Sequence, residues 1–343
     1  MDAIRTGAAF LVSLSVVAGG PAAAQSVESF YTGKQIEFVI GIPPGATYDI
    51  WARLIARHMG KHIPGNPTFL PRNMPGAAGM VALNHLYTQA PRDGSVVAIV
   101  GRNMPLQEAM GNSAVMFKST ELGFLGSPET IYRLCISSAG AKVKTSADLF
   151  KEELVVGGTT GGGNAATPTL LGKLLGMKFK LVTGYTDPQE VFLAMERGEV
   201  DGQCTSLSGI EASRPGWLAQ GKLNALLSIE EKPVTGLAGV KIPTTYDFAT
   251  TDEQRQILDL FGASSMLGWP IATTPGVPKD YLEALRRAFA VTMQDKEFLA
   301  NAATLGFNIN PTSGEELHQI VAKLIRTPKA IIDKTTEIVG NLQ

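Results

Sequence analysis

Short, nearly uninterrupted apolar runs recur along this 343-residue chain, and most are followed by a stretch with helical spacing. Ile36 to Ile42 ends in Pro43-Pro44-Gly45 and reads as a buried strand. Thr47 to Lys61 follows, with Ile50, Trp51, Leu54, Ile55 and Met59 on one helical face. Phe69-Leu70 is a further short strand, Gly76 to Gly79 opens a helix through Leu83, Leu86 and Tyr87, and Ser95 to Val100 is the next buried strand. The rhythm returns with strands at Leu154 to Val156, Phe179 to Val182, Val200 to Cys204 and Leu223 to Ser228. A helix over Ala165 to Leu175 separates the first two. Asp187-Pro188-Gln189-Glu190 then opens another, with Asp as N-cap and Pro in the first turn. Ser264 to Ala272 reads as a strand, and four helices close the chain: Pro278 to Met293, Lys296 to Leu305, Ser313 to Arg326 and Lys329 to Val339. Strands alternating with helices imply α/β architecture with mostly parallel sheets covered on both faces.

The N-terminus is set apart from this pattern. Arg5, an uncharged run from Ala8 to Ala18, and Ala22-Ala23-Ala24 predict a secretory signal peptide cleaved after Ala24. The run is too short to span a bilayer, which needs about 20 apolar residues. An exported protein of the periplasm is expected. Cys135 and Cys204 would then sit in an oxidising space, and a disulfide and two buried free thiols stand equally open.

Composition removes several function classes. A formal net charge of −1 argues against a nucleic-acid binder, which needs a basic face. Two cysteines cannot build a four-cysteine zinc site. No Gly-x-Ser-x-Gly elbow occurs. His58 and His62 read as a solvated helix end rather than zinc ligands, and Glu199 and Asp201 as a polar pair on one strand face rather than a catalytic dyad. Gly161-x-Gly163-x-x-Ala166 has dinucleotide-loop spacing, but no acidic residue ends the next strand. Trp217 and Trp269 are placed in a core or a cleft wall.

Two glycine-rich loops lie between a strand and a helix: Pro43 to Asp49, and Gly157 to Ala165. Helix N-termini present unpaired N–H groups and partial positive charge, so such loops suit anions. In open α/β sheets they fall at the carboxyl ends of strands, where ligands bind.

Several of these segments, in order, resemble the Bug family, the periplasmic solute-binding receptors of tripartite tricarboxylate transporters. They are Pro43-Pro44-Gly45-Ala46-Thr47-Tyr48-Asp49, Asn73-Met74-Pro75-Gly76-Ala77-Ala78-Gly79, Pro91-Arg92-Asp93-Gly94, Gly198-Glu199-Val200-Asp201 and Pro275-Gly276-Val277-Pro278. The chain departs from the family pattern at Ala46, at Met74, and at Thr167-Pro168, where a histidine is usual. The resemblance implies a Venus-flytrap fold of the periplasmic-binding-protein type, with two α/β lobes and a two-strand hinge. It places residues 25–120 and 229–343 in lobe one and 121–228 in lobe two. It implies capture of a small organic anion, a carboxylate, in the interlobe cleft by a monomer that docks to the transporter's membrane components, with no catalysis, cofactor, metal or nucleic acid. A sensor for a membrane signalling kinase and an exported hydrolase are the alternatives. Carried over by position, Ala46, Thr47 and Tyr48 would face the ligand from lobe one, with Arg102 and Asn103 at the end of a strand. Thr159, Thr160, Gly163, Asn164, Ala165 and Tyr185 would face it from lobe two.

Overall fold

The computed structural model describes residues 26–159, 163–231, 234 and 242–340. The expected signal peptide and its cleavage site lie outside these residues, as does Thr160.

The first half of the chain runs α1 (Val27–Tyr31), β1 (Gln35–Ile40), α2 (Thr47–Met59), β2 (Thr68–Asn73), α3 (Met80–Thr88), β3 (Val96–Ile99), α4 (Met104–Ala109) and β4 (Gly123–Ser127). A second set follows: β5 (Arg133–Ser138), β6 (Leu154–Thr159), α5 (Gly163–Leu175), β7 (Phe179–Tyr185), α6 (Pro188–Glu196), β8 (Gly202–Ser206), α7 (Leu207–Ser213) and β9 (Leu223–Ser228). The chain closes with α8 (Asp252–Leu267), β10 (Ile271–Thr273), α9 (Lys279–Thr292), α10 (Lys296–Thr304), β11 (Thr312–Ser313), α11 (Gly314–Ile325) and α12 (Lys329–Val339).

Two sheets result, ordered β11-β4-β10-β3-β1-β2 and β7-β6-β8-β5-β9. In the first, β1 pairs in parallel with β2 and β3, while β10 runs antiparallel between β3 and β4. In the second, β6 pairs in parallel with β7 and β8, while β5 runs antiparallel between β8 and β9. Most strands of each sheet therefore point one way. The exception inside each sheet is the strand that arrives from the other sheet. β4 runs toward the space between the sheets, so the chain crosses at 128–132 and enters the second sheet heading away from it. β9 and β10 repeat this on the return, through α8 and residues 268–270.

The two crossings touch. Ile131 N donates to Ser265 O at 3.0 Å, and Trp269 N donates to Ser127 Oγ at 2.9 Å. Gly268, at φ +60°, packs so closely that a Cβ there would lie 1.8 Å from Glu129 O. Only glycine fits. The expected boundary at residue 120 thus precedes β4, and the chain leaves the first sheet only after Ser127.

Each sheet has its own apolar core. Trp51, Ile55, Phe38 and Phe298 lie in that of the first; Leu149, Val156, Leu170 and Leu227 in that of the second. α12, at the far end of the chain, buries Ile331 in the second core. α8 corrects the expected strand over Ser264 to Ala272, because only Ile271–Thr273 is extended. Its small residues Gly262, Ala263, Ser264 and Ser265 carry no helical period. The helix is fixed instead by the Thr251/Gln254 capping box and by burial on several faces. Leu258 and Phe261 enter one core cluster, Leu260 and Ala263 a second, and Leu267 a third.

Two smaller expectations also change. His58 is buried, with Nε2 3.0 Å from Asn301 Nδ2, and His62 Nε2 lies 3.1 Å from Asp295 Oδ2. The helix end they occupy is covered by α10, not by solvent. Glu199 and Asp201 precede β8 rather than share a strand face, and exposed Glu199 pairs with Arg197 at 2.6 Å. Cys135 and Cys204 sit directly opposite each other on β5 and β8 and form a disulfide.

Candidate functional site

The carboxyl ends of β3, β6 and β8 converge on a cleft of about 840 Å³ between the sheets. Arg102, Asn103 and Leu106 line it from the β3–α4 turn, and Trp269 from the return crossing. Thr159, Asn164 and Ala165 line it from β6 and α5, and Thr205, Ser206 and Ser208 from the end of β8 and the start of α7. Glu129, Ile131 and Arg133 form the floor along the outward crossing.

Of the residues singled out from sequence, Arg102, Asn103, Thr159, Asn164 and Ala165 share this cleft. Gly163 opens α5 beside them. Tyr48 stands one layer back. Its ring meets Trp269 edge-on at 4.7 Å, and its hydroxyl accepts from Arg102 N at 3.2 Å. Ala46 and Thr47, at the start of α2, lie outside the lining. Tyr185 also lies outside it, packed with Val182 and Val191.

The first glycine-rich loop is tied down by side chains. Asp49 Oδ2 accepts from Gly45 N at 2.9 Å, Asp49 also accepts from Arg53 Nε at 2.9 Å, and Asp49 Oδ1 accepts from Asn73 Nδ2 at 2.8 Å. Burial pushes the Asp49 carboxyl up, but these bonds outweigh it and hold the group below its ordinary value. The segments Pro43 to Asp49 and Asn73 to Gly79 are therefore one interlocked unit.

The second loop ends differently. Asn164 Oδ1 accepts from Thr159 N at 3.2 Å and from Thr159 Oγ1 at 2.6 Å. Its Nδ2 is buried, with no hydrogen-bond partner among the described residues. A buried donor left unmade costs about 1–3 kcal/mol, so an acceptor brought to this amide would be favoured.

The charged groups of the cleft divide into two kinds. Arg133 is committed: its backbone N and Nε donate to Glu230 at 2.9 and 3.3 Å, and Nη2 donates to Phe261 O at 3.1 Å. Burial pushes the Glu230 carboxyl up, and the Arg133 guanidinium opposes that push. Arg102 is uncommitted. Its guanidinium lies over the Trp269 ring at 4.8 Å and makes no ion pair among the described residues. Glu129 is also without an ion pair among the described residues. It is 7% exposed, and Oε2 accepts from Trp269 Nε1 at 3.0 Å. Burial pushes its carboxyl up, against hydrogen bonds from Trp269 and Ser208 and the attraction of the Arg102 charge.

Glu129 and Arg133 were not among the residues expected from sequence. The signal that could have found them is a charged side chain at each end of the short stretch Thr130-Ile131-Tyr132, immediately before the apolar run Leu134-Cys135-Ile136. Trp269 belongs in the cleft wall, and Trp217 packs against the core around Phe192.

No protein-family model and no curated protein sequence matches the chain. Solved structures do. A TctC solute-binding protein from Polaromonas, solved without ligand, superposes with a TM-score of 0.69 at 19% identity, covering 89% of this chain and 99% of that one. An R. palustris protein solved with adipate gives 0.52 at 19% identity, over 90% and 98%. The periplasmic binding protein BugD gives 0.50 at 17% identity, over 90% and 99%. The fold is that of a periplasmic binding protein. The expected Venus-flytrap architecture, with two α/β units joined by two adjacent crossings, is the one observed.

Proposed function

We propose that this chain is a periplasmic solute-binding receptor. It closes on a small organic anion, a carboxylate, and delivers it to the membrane components of a tripartite tricarboxylate transporter. The single observation that carries this reading is the pairing across the cleft of an uncommitted cation, Arg102, with an unpartnered buried amide donor, Asn164 Nδ2. Donors on both walls with no acceptor among the described residues suit an oxyanion, and a charge-assisted bond to Arg102 would be the strongest available. Each sheet with its helices acts as a lobe in this reading, and the crossings at 128–132 and 268–270 act as the hinge.

Three further observations support it. The fold is shared with a TctC solute-binding protein and with a protein solved with adipate. No helix among the described residues is long and apolar enough to cross a membrane. The sequence before residue 25 has the order of a secretory signal. The cleft groups serve binding without catalysis, and the receptor acts as a monomer that needs neither cofactor nor metal.

A thermal-shift screen of the mature chain against mono-, di- and tricarboxylates tests the proposal. A ligand at a hundredfold excess over its Kd stabilises the closed form by about 2.7 kcal/mol, so at least one acid should raise Tm by several degrees. Stabilisation by neutral solutes alone would sink the anion reading.

A further inference from the structure

The carboxylate reading leaves one group unexplained. Glu129 faces the same cleft, and a carboxylate there repels a bound anion unless something intervenes. The obvious remedy, an ion pair between Glu129 and Arg102, is not made. Trp269 stands between their roles: its ring face holds the Arg102 guanidinium at 4.8 Å, and its Nε1 holds Glu129 Oε2 at 3.0 Å. One indole thus positions a positive and a negative group on the same wall without joining them. The other nearby pair, Arg133 and Glu230, is closed on itself and lends neither charge.

Charge counting sharpens the point. Arg102 with Glu129 sums to zero, as does Arg133 with Glu230. A bare dicarboxylate brings two negative charges into this partly desolvated, neutral cleft. A ligand with a carboxylate for Arg102 and Asn164 and a donor for Glu129 satisfies both groups at once. Glu129 has acceptor capacity left for that purpose, since an ionised carboxylate offers about four lone-pair sites and two donors, Trp269 and Ser208, are identified on it.

We propose that Glu129 is the specificity-determining residue of the cleft, accepting a hydrogen bond from an ammonium or hydroxyl group that the ligand carries near its carboxylate. This rests on the carboxylate reading and narrows it to amino and hydroxy acids. Burial raises the cost of an unpaired Glu129 charge, and a donor from the ligand offsets that cost.

Isothermal titration of the mature chain with three matched sets decides the matter: propionate, lactate and alanine; succinate, malate and aspartate; glutarate, 2-hydroxyglutarate and glutamate. In the set that binds best, the donor-bearing acids should bind about tenfold or more tighter than the unsubstituted one, the yield of a hydrogen bond to a charged group. Glu129→Gln keeps the shape and removes the charge. It should erase most of that gap, with the loss larger for the amino acid than for the hydroxy acid. The arms separate hydroxyl from ammonium as the preferred donor. Equal binding of substituted and unsubstituted acids by the wild type, or an unchanged gap in Glu129→Gln, overturns the role of Glu129 and leaves the carboxylate reading standing. Binding of none of the nine acids overturns this inference, while the carboxylate reading falls only if the wider thermal-shift screen also finds no acid that stabilises the chain. Should Glu129→Gln fail to fold, Glu129→Asp, which withdraws the carboxylate by one methylene, carries the same comparison.

Discussion

The two glycine-rich loops look alike in the sequence and behave differently in the fold. Pro43 to Asp49 is knotted by Asp49, Arg53 and Asn73, and its residues stand behind the cleft or beside it. Gly157 to Ala165 ends on a cleft-lining residue, Asn164, whose buried amide has no partner among the described residues. Their glycines also differ in purpose. Gly45 has φ +86° with open space around it, so its conformation is what excludes other residues. Gly158 has no such angle. A Cβ there would lie 2.9 Å from both the Ala165 Cβ and a Leu181 methyl, so closeness of α5 to β6 and β7 excludes them. A glycine run after a strand therefore marks a strand end. It does not say whether the glycine serves ligand, backbone or packing.

Four experiments sharpen that contrast. The largest effect is expected on binding. Arg102→Ala and Asn164→Ala each remove a donor to the anion and should weaken it about 10–100-fold by titration calorimetry, as for hydrogen bonds to charged groups. An affinity within threefold of wild type, in a folded variant, would take that residue out of the site. Asp49→Ala should do the opposite. It should cost about 1–3 kcal/mol in urea unfolding, because Asn73 and Gly45 N–H lose their buried acceptor, while affinity stays close to wild type. A large loss of affinity at unchanged stability would reverse the assignment of the two loops.

The glycines supply the third test. Gly45→Ala should cost about 1–2 kcal/mol, the penalty of a left-handed angle, and Gly45→Asn should recover part of it because Asn tolerates that region. Gly158→Ala should cost about 1–3 kcal/mol by overpacking, and Gly158→Asn should be worse. Rescue by Asn at both positions would mean that conformation, not space, rules both.

The smallest effect is a pH dependence. Asp49 is held below its ordinary value in the folded chain. Its contribution is therefore complete above the unfolded-state carboxyl range, near pH 4 in model peptides. It is lost as pH falls through the folded value. Asp49→Asn should flatten the acid side of the stability profile, and an unchanged slope would show that Asp49 is not a source of it.

Much of the architecture was legible because periodicity and capping act locally. Thr47 to Lys61 and Leu223 to Ser228 were readable from apolar spacing alone, and α6 from Asp187, Pro188 and Glu190. Its N-cap bonds, Asp187 Oδ1 to Gln189 N and Glu190 N, are those the sequence implies. What escaped was non-local. β4 and β5 are short and gain their meaning from the crossing between them. The end of α8 was read with Ile271–Thr273 as one strand, Ser264 to Ala272, because its residues are buried on several sides and show no exposed face. In the site, Arg102 and Asn164 could be placed at strand and helix ends, where the chain path fixes them. Glu129 could not, because its role depends on Trp269, 140 residues further along the chain. Ala46, Thr47 and Tyr185 were placed by position in the chain, which does not fix whether a residue lines the cleft; Tyr185 packs instead with Val182 and Val191.

The strand that each sheet receives from the other also sets an order of assembly. Residues 133–228 supply every strand of the second sheet from one continuous stretch. The first sheet has a gap between β3 and β4 until Ile271–Thr273 arrives. A chain emerging from its N-terminus thus makes β1 to β4 early but cannot close them into one sheet until about four-fifths of it is present. Such distant pairings are slow to form, and the waiting strand edges are exposed to wrong partners. Refolding should accordingly show two phases, the second sheet protected from hydrogen exchange first, with closure of the first as the slow, concentration-sensitive step.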